Sequence, residues 1–155
     1  MTDFLIKTLI KDSSIKDAGT GRFFLEDLKK GTIIRKQIIG SDNLKVIKNK
    51  EELDNYDITL LKHFGHSKPK NSKLNTNYIY LNNPTMNTNH SDNYNIDFEY
   101  RDNEKITYLI KDVKCGDEML QNYCNYEKVH WFEEYLHEHE LISQREFALS
   151  INNSR

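Results

Sequence analysis

The chain has very little cysteine. Cys115 and Cys124 are the only two in 155 residues. A pair cannot build a disulfide framework or a four-ligand zinc site by itself, so both read as free thiols in a reducing compartment. Long apolar runs are also missing. The opening stretch Met1 to Asp12 is broken by Lys7 and Lys11, which fits neither a signal-peptide core nor a membrane span. The expected setting is therefore intracellular, in the cytoplasm or nucleus, with no membrane partner. The sequons at Asn89-His90-Ser91 and Asn152-Asn153-Ser154 then carry no glycan. Charge of one sign is lacking as well. Twenty-two basic residues against twenty-four acidic ones leave a formal net charge of -2, which excludes a global basic field for nucleic-acid binding.

What is present is a polar but foldable composition. Hydrophobic residues make up 37% and charged residues 30% of the chain, yet nine Tyr, seven Phe and one Trp supply a core and exclude the disordered class. The length is that of one ordinary domain. Asn, Lys, Ile and Tyr are abundant, as an AT-rich genome would produce, so Asn-rich stretches carry less information than usual.

Strands joined by glycine turns dominate the first forty residues. A strand is expected over 4–10, a turn over Lys16 to Gly21, an apolar burst at Phe23, Phe24 and Leu25, a second turn at 28–31, and β structure over 32–39. Apolar spacing from Glu51 to Phe64 predicts one short helix, weakened by Asp57 and Thr59. Residues 65–77 form a loop made basic by Lys68, Lys70 and Lys73. Tyr78 to Leu81 reads as a strand, 82–95 as a long polar segment, 96–100 and 106–113 as paired strands, and 118–123 as briefly extended. A helix follows from Lys128 to about Phe147, with a break near Leu141-Ile142-Ser143.

Three segments carry chemistry when taken in order: Gly19-Thr20-Gly21-Arg22, Asn89-His90-Ser91 with Asn95, and Gly116-Asp117-Glu118-Met119-Leu120-Gln121-Asn122-Tyr123. Glycines at a turn let main chain approach a ligand closely, although an ordinary hairpin uses them too. Asn-His-Ser groups small polar side chains that bond backbone and ligand at once, or simply form a polar loop. This ordered set resembles the SET-domain protein-lysine methyltransferases, whose pattern runs G-x-G, then N-H-S-x-x-x-N, then G-E-E-L-x-x-D-Y. The resemblance spans residues 17 to about 126.

The resemblance implies a mainly β fold with some α: the SET (β-clip) fold of small twisted sheets around a pseudoknot, with a C-terminal helix. It implies a SET domain over 1–126, including a helical and loop insert over 40–77, and a helical C-flanking segment over 127–155 packed on the same domain. The cofactor would be S-adenosyl-L-methionine, bound through Gly19, Thr20, Gly21, Arg22, Asn89, His90 and Tyr123. Tyr123 would be the catalytic tyrosine. Tyr78, Tyr80, Tyr126 and Trp131 are candidates for the lysine channel, with Phe132 beside them; all could equally be core aromatics. The substrate would be a lysine-bearing protein or peptide, with a histone as one option, and chromatin of a host as the setting if the source is viral or parasitic.

Departures accompany the match. No cysteine clusters bracket the core, so no structural zinc follows, and His130, Glu134 and His137 do not have zinc spacing. Phe23 stands where glycine usually follows G-x-G-R, an arginine is absent from Met86-Asn87-Thr88, and Asn122 replaces the aspartate before the tyrosine. A catalytically silent SET-like domain that binds peptides therefore stays open beside the enzyme. The acidic run Glu133 to Glu140 could receive a basic peptide, or be a solvated helix face. No direct nucleic-acid partner is expected from three loop lysines, and the oligomeric state is left open.

Overall fold

The computed structural model describes residues 3–70, 72–74, 76–84 and 88–153, and for residues 152 and 153 the backbone alone. The second sequon and the Met86-Asn87 departure lie outside the fully described residues. The chain forms two compact units, each built from two stretches of sequence: Met1–Gln37 with Asn87–Asn122, and Ile38–Met86 with Tyr123–Arg155.

The first unit is made of strands. β1 (Thr8–Asp12) pairs antiparallel with β2 (Thr20–Phe24), in the register Thr8↔Phe24 to Asp12↔Thr20. Their connection closes with Ser13 N–H donating to the Gly19 carbonyl at 2.8 Å, and Asp17 and Gly19 both take positive φ there. β3 (Ile33–Ile38), β9 (Glu104–Leu109) and β8 (Ile96–Arg101) form a three-stranded sheet in the order β3-β9-β8. Along β8, Ile96, Phe98 and Tyr100 are buried while Asp97 and Glu99 are half-buried, the period-two pattern of a strand with one covered face. A two-residue turn at Asp102-Asn103 returns the chain to β9. β7 (Asn89–His90) and β10 (Leu120–Gln121) make a short parallel pair. Phe24, Ile34, Leu109 and Met119 are fully buried in this unit.

The second unit combines a small sheet with helices. β4 (Leu44–Ile47) and β5 (Gly65–His66) both run antiparallel to the central β6 (Ile79–Asn82). Around them lie a 3-10 helix (Lys50–Asn55), α1 (Ile58–Phe64), a 3-10 turn (Tyr123–Asn125), α2 (His130–Glu138) and α3 (Gln144–Asn153). Ile47, Leu53, Leu61, Ile79, Leu81, Val129, Phe132, Tyr135 and Leu136 form one apolar cluster.

The composition-level reading of a mainly β chain with some α holds, and several local expectations shift. The strand expected over 4–10 is a bridge, Phe4↔Arg35, followed by β1. The helix expected over 51–64 is two pieces, because Asp57 accepts from Thr59 N at 2.8 Å and Leu60 N at 3.3 Å and starts a new helix. Tyr78 precedes β6 rather than lying in it. The helix expected over 128–147 is α2 and α3, separated as foreseen near 141–143. Ser143 and Glu146 make that break definite: Glu146 N donates to Ser143 Oγ at 3.1 Å and Ser143 N to Glu146 Oε1 at 3.2 Å, a capping box. Glu133, within the acidic run, is buried and faces Arg145 with hydrogen bonds of 2.8 and 2.7 Å.

Candidate functional site

The first unit brings two of the three sequence motifs and most of the third onto one run of backbone. Residues 117–121 are bonded on both sides. Toward β2, Phe24 N donates to Asp117 O at 2.9 Å and Met119 N to Arg22 O at 2.7 Å, with a bridge between Phe23 and Glu118. Toward β7, Leu120 stands opposite Asn89 and Gln121 opposite His90, and Ser91 N donates to Gln121 O at 3.0 Å. Asn95, the last residue of the N-H-S-x-x-x-N spacing, is buried. It bonds the same run twice: its Nδ2 donates to Glu118 O at 2.8 Å, and its Oδ1 accepts from Leu120 N at 2.9 Å. Two short motifs far apart in sequence are thus held in register by a third.

Glu118 is the hub of this arrangement, and no reading of the sequence singled it out as a site residue. Its carboxylate accepts from Ser13 Oγ at 3.0 and 2.8 Å, from Ser14 N at 2.9 Å, from Ser14 Oγ at 2.7 Å and from Asn89 Nδ2 at 3.1 Å. Burial pushes this carboxyl up, but the hydrogen bonds from Ser14, Asn89 and Ser13 outweigh burial and hold it below the ordinary carboxylate value. Asn89 Nδ2 also donates to Thr20 O at 2.9 Å. Gly21 is required here by space. A Cβ at this position would come within 2.8 Å of Glu118 Cδ and 3.3 Å of Asn89 Nδ2. Gly19 is different: its φ of +73° demands glycine, and it faces open space.

Of the other proposed cofactor contacts in this unit, Thr20 is exposed and His90 is half-buried. Arg22 is buried, donates to Thr8 Oγ1 at 2.6 Å and lies 4.4 Å over the Phe4 ring; burial lowers its pKa. Phe23 is buried as well, with Lys11 Nζ 4.4 Å over its ring.

The second unit holds Tyr123 and the proposed channel aromatics. Tyr123 and Tyr126 are buried and stacked, with centroids 5.8 Å apart and planes at 22°. His66 stacks on Tyr126, with centroids 5.2 Å apart and planes at 29°, and meets Tyr80 at 6.0 Å. Tyr80, His66, Tyr126 and Tyr123 therefore form one continuous aromatic row. Burial raises the pKa of the Tyr80 phenol, which stays protonated through the neutral range. Tyr78 is half-buried with Lys48 Nζ 5.9 Å over its ring. Trp131 packs against the apolar cluster of Leu53, Leu61 and Leu136. His66 falls in the stretch expected as a basic loop over 65–77, which the structure corrects by placing Gly65 and His66 in β5; the sequence signal for it is its place directly after Gly65. A shallow cleft opens beside the row, lined by His66, Ser67, Tyr126, Glu127, Glu133 and Arg145 among others. Among the described residues, no group of three or more His, Cys, Asp or Glu side chains could hold a metal ion. No helix there is long and apolar enough to cross a membrane.

Neither a family model nor a curated protein matches the sequence. Solved structures do match. A humanized mutant of the Chaetomium thermophilum Polycomb Repressive Complex 2 bound to an inhibitor is 21% identical with a TM-score of 0.58, over 81% of this chain and 16% of that one. The same complex in an autoinhibited conformation bound to S-adenosylmethionine is 19% identical with a TM-score of 0.57, over 87% of this chain and 17% of that one. A Plasmodium falciparum protein described as a candidate histone methyltransferase is 26% identical with a TM-score of 0.52, over 76% of this chain and 93% of that one. The chain spans about a sixth of the length of the polycomb chains it matches. These neighbours are SET-domain histone methyltransferases, and the small sheets with few helices found here are the SET (β-clip) fold.

Proposed function

We propose that this protein is an S-adenosyl-L-methionine-dependent protein-lysine N-methyltransferase acting on a histone or another basic protein, inside the cytoplasm or nucleus. The observation that carries the reading is the junction at Glu118, where Asn89 of the N-H-S segment donates both to the Glu118 carboxylate and to the Thr20 carbonyl of the G-x-G turn, and Leu120 and Gln121 pair with Asn89 and His90. The donor set suits the cofactor's chemistry. A sulfonium and an ammonium are both cations, and Glu118, kept ionised by its hydrogen bonds, places negative charge beside the exposed Gly19-Thr20 main chain. The polar side chains of Asn89 and His90 would hold the cofactor's adenine and amino-acid parts, with Gly19, Thr20, Gly21 and Arg22 lending main chain.

When bound, the cofactor supplies an electrophilic methyl group. The chain's own residues then have to deliver a neutral amine in line with it. A lysine ammonium has no lone pair, and its ordinary pKa of about 10.4 leaves little free amine at neutral pH. A desolvating aromatic wall lowers that pKa by disfavouring the charged form. The buried Tyr80 and the buried, stacked Tyr126 and Tyr123 offer such a wall, and the Tyr123 hydroxyl would orient the amine lone pair. Positioning, more than acid or base catalysis, sets the rate of such a displacement. The exposed Glu134, Glu138 and Glu140 suit a basic substrate.

The test is transfer of a labelled methyl group from S-adenosyl-L-methionine to histone mixtures and lysine peptides. We expect transfer by the native chain and loss of about a hundredfold or more in Tyr123→Phe, the scale set by misplacing a nucleophile. Undiminished transfer by that variant removes Tyr123 from its role. Asn122, half-buried where the resemblance has an aspartate, favours the second reading, a silent SET-like domain that binds peptides. Calorimetry separates the two: peptide binding without any cofactor binding selects the second.

A further inference from the structure

His66 belongs to no motif, yet it sits at the centre of the aromatic row and is only 2% exposed. Three local features bring it there. Gly65 ends α1 by donating its N–H to Leu61 O, and a Cβ at that position would come within 2.6 Å of that carbonyl and 3.0 Å of the Phe132 ring. Only glycine lets the chain leave the helix at this point and enter β5. The β5–β6 register then sets His66 directly opposite Tyr80, and opposed residues of an antiparallel pair share one face of the sheet. Asn82, two residues further along β6, faces the imidazole with its Nδ2 3.5 Å from His66 Nδ1.

The ring also stacks on Tyr126, and the segment after β5 holds that residue in place. Residues 68–70 run against 125–127: Lys70 N donates to Asn125 O at 2.8 Å, Glu127 N to Lys68 O at 2.9 Å, and Pro69 bridges Tyr126. The Ser67 hydroxyl donates to the Glu127 carbonyl. Tyr126 is thus held by these bonds against His66, and Tyr123 stacks on Tyr126 in turn. The imidazole contacts both Tyr80 and Tyr126, and Tyr126 in turn contacts Tyr123.

We infer that His66 is a positioning residue: its ring acts as the spacer that fixes Tyr126, and through it Tyr123, at the angle needed to orient the substrate amine. This rests on the methyltransferase reading for its kinetic consequence but not for its structural one. Stacked rings tolerate little vacancy. Removing the middle ring leaves a void next to two buried tyrosines, which close into it or swing, and misplacement of about an ångström costs about a hundredfold in rate. Replacing the ring by another flat ring of similar size keeps the spacing.

The experiment compares His66→Ala with His66→Phe in the full chain by two measurements. One is methyl transfer to a lysine peptide. The other is the aromatic NMR signals of Tyr123 and Tyr126, read without cofactor or peptide. We expect His66→Ala to lower kcat about tenfold to a hundredfold, with an unchanged Kd for S-adenosyl-L-methionine, and to shift or broaden both tyrosine signals. His66→Phe should restore most of kcat and sharp signals. Native tyrosine signals in His66→Ala overturn the proposal even if the native chain transfers no methyl group, because the stacking claim stands independently of activity. If both variants are folded and equally slow, stacking is not the role, and the proposal falls.

Discussion

The two compact units are stabilised by different means. The first is a set of short strands whose motif segments are tied by main-chain ladders and by buried or half-buried polar side chains: among the described residues, Glu118, Asn89 and Asn95 make eight side-chain bonds among themselves and to Ser13, Ser14, Thr20 and Leu120. The second has an apolar cluster with helices around it and a buried ion pair, Glu133–Arg145, between α2 and α3. Polar bonds are directional and fix geometry to fractions of an ångström, whereas apolar burial is non-directional and contributes stability in bulk. The division follows the proposed work: ligand-facing polar groups need exact partners, and a lysine wall needs dryness.

That contrast can be broken in order of expected effect. Glu133→Ala leaves Arg145, itself largely buried, without its carboxylate, and removing one partner of a buried pair costs about 3–5 kcal/mol. Urea unfolding should show it, with hydrogen exchange loosening first in α2 and α3. Leu136→Ala, at a fully buried position of the cluster, should cost about 2–5 kcal/mol in the same assay. Gly21→Ala drives a methyl into Glu118 and Asn89, so a loss of about 1–3 kcal/mol is expected. Exchange should rise there in 13–24 and 89–95, and S-adenosyl-L-methionine affinity should fall. If Leu136→Ala and Gly21→Ala loosen the same amides, the contrast between the units is wrong.

Acidity sharpens the comparison. Glu118 has a folded pKa below its ordinary 4.5, so its stabilisation is complete above that value and is lost as pH falls through the lower folded one. Glu118→Gln should therefore be less stable than the native chain at neutral pH, and the gap should narrow below about pH 4; a constant gap from pH 7 to pH 3 contradicts this. The smallest effect concerns Lys105, on β9. It is buried, with Nζ 4.1 Å over the Phe98 ring, and burial with the nearby Arg35 charge pushes its pKa well below the ordinary value. The folded state disfavours its charged form, so Lys105→Met should leave the melting temperature unchanged or slightly raised.

The sequence made β3, β8, β9 and the order of the motifs readable, because these depend on residues close together in the chain, whereas β1, β2 and β7 fall on stretches expected as strand, turn or loop with other bounds. Alternation marked β8, and Gly19 marked a positive φ. Asp57 and Ser143-x-x-Glu146 held cap signals that split the two expected helices; the second break was foreseen and the first only suspected. Glu118 and His66 were not legible as site residues. One gains its role from serines more than a hundred positions away, the other from a tyrosine fourteen positions on and another sixty positions on. The acidic run likewise read as a uniform charged stretch, although Glu133 turns inward to Arg145.

Composition, turn glycines and motif order alone determined that this is a small, mainly β chain with a SET-like set of segments, since those properties follow from local sterics and residue chemistry. Which carboxylate joins the motifs, which ring spaces the tyrosines and which glutamate is buried were decided by tertiary structure. Each is a contact between residues distant in sequence, and such contacts exist only once strands have chosen their register.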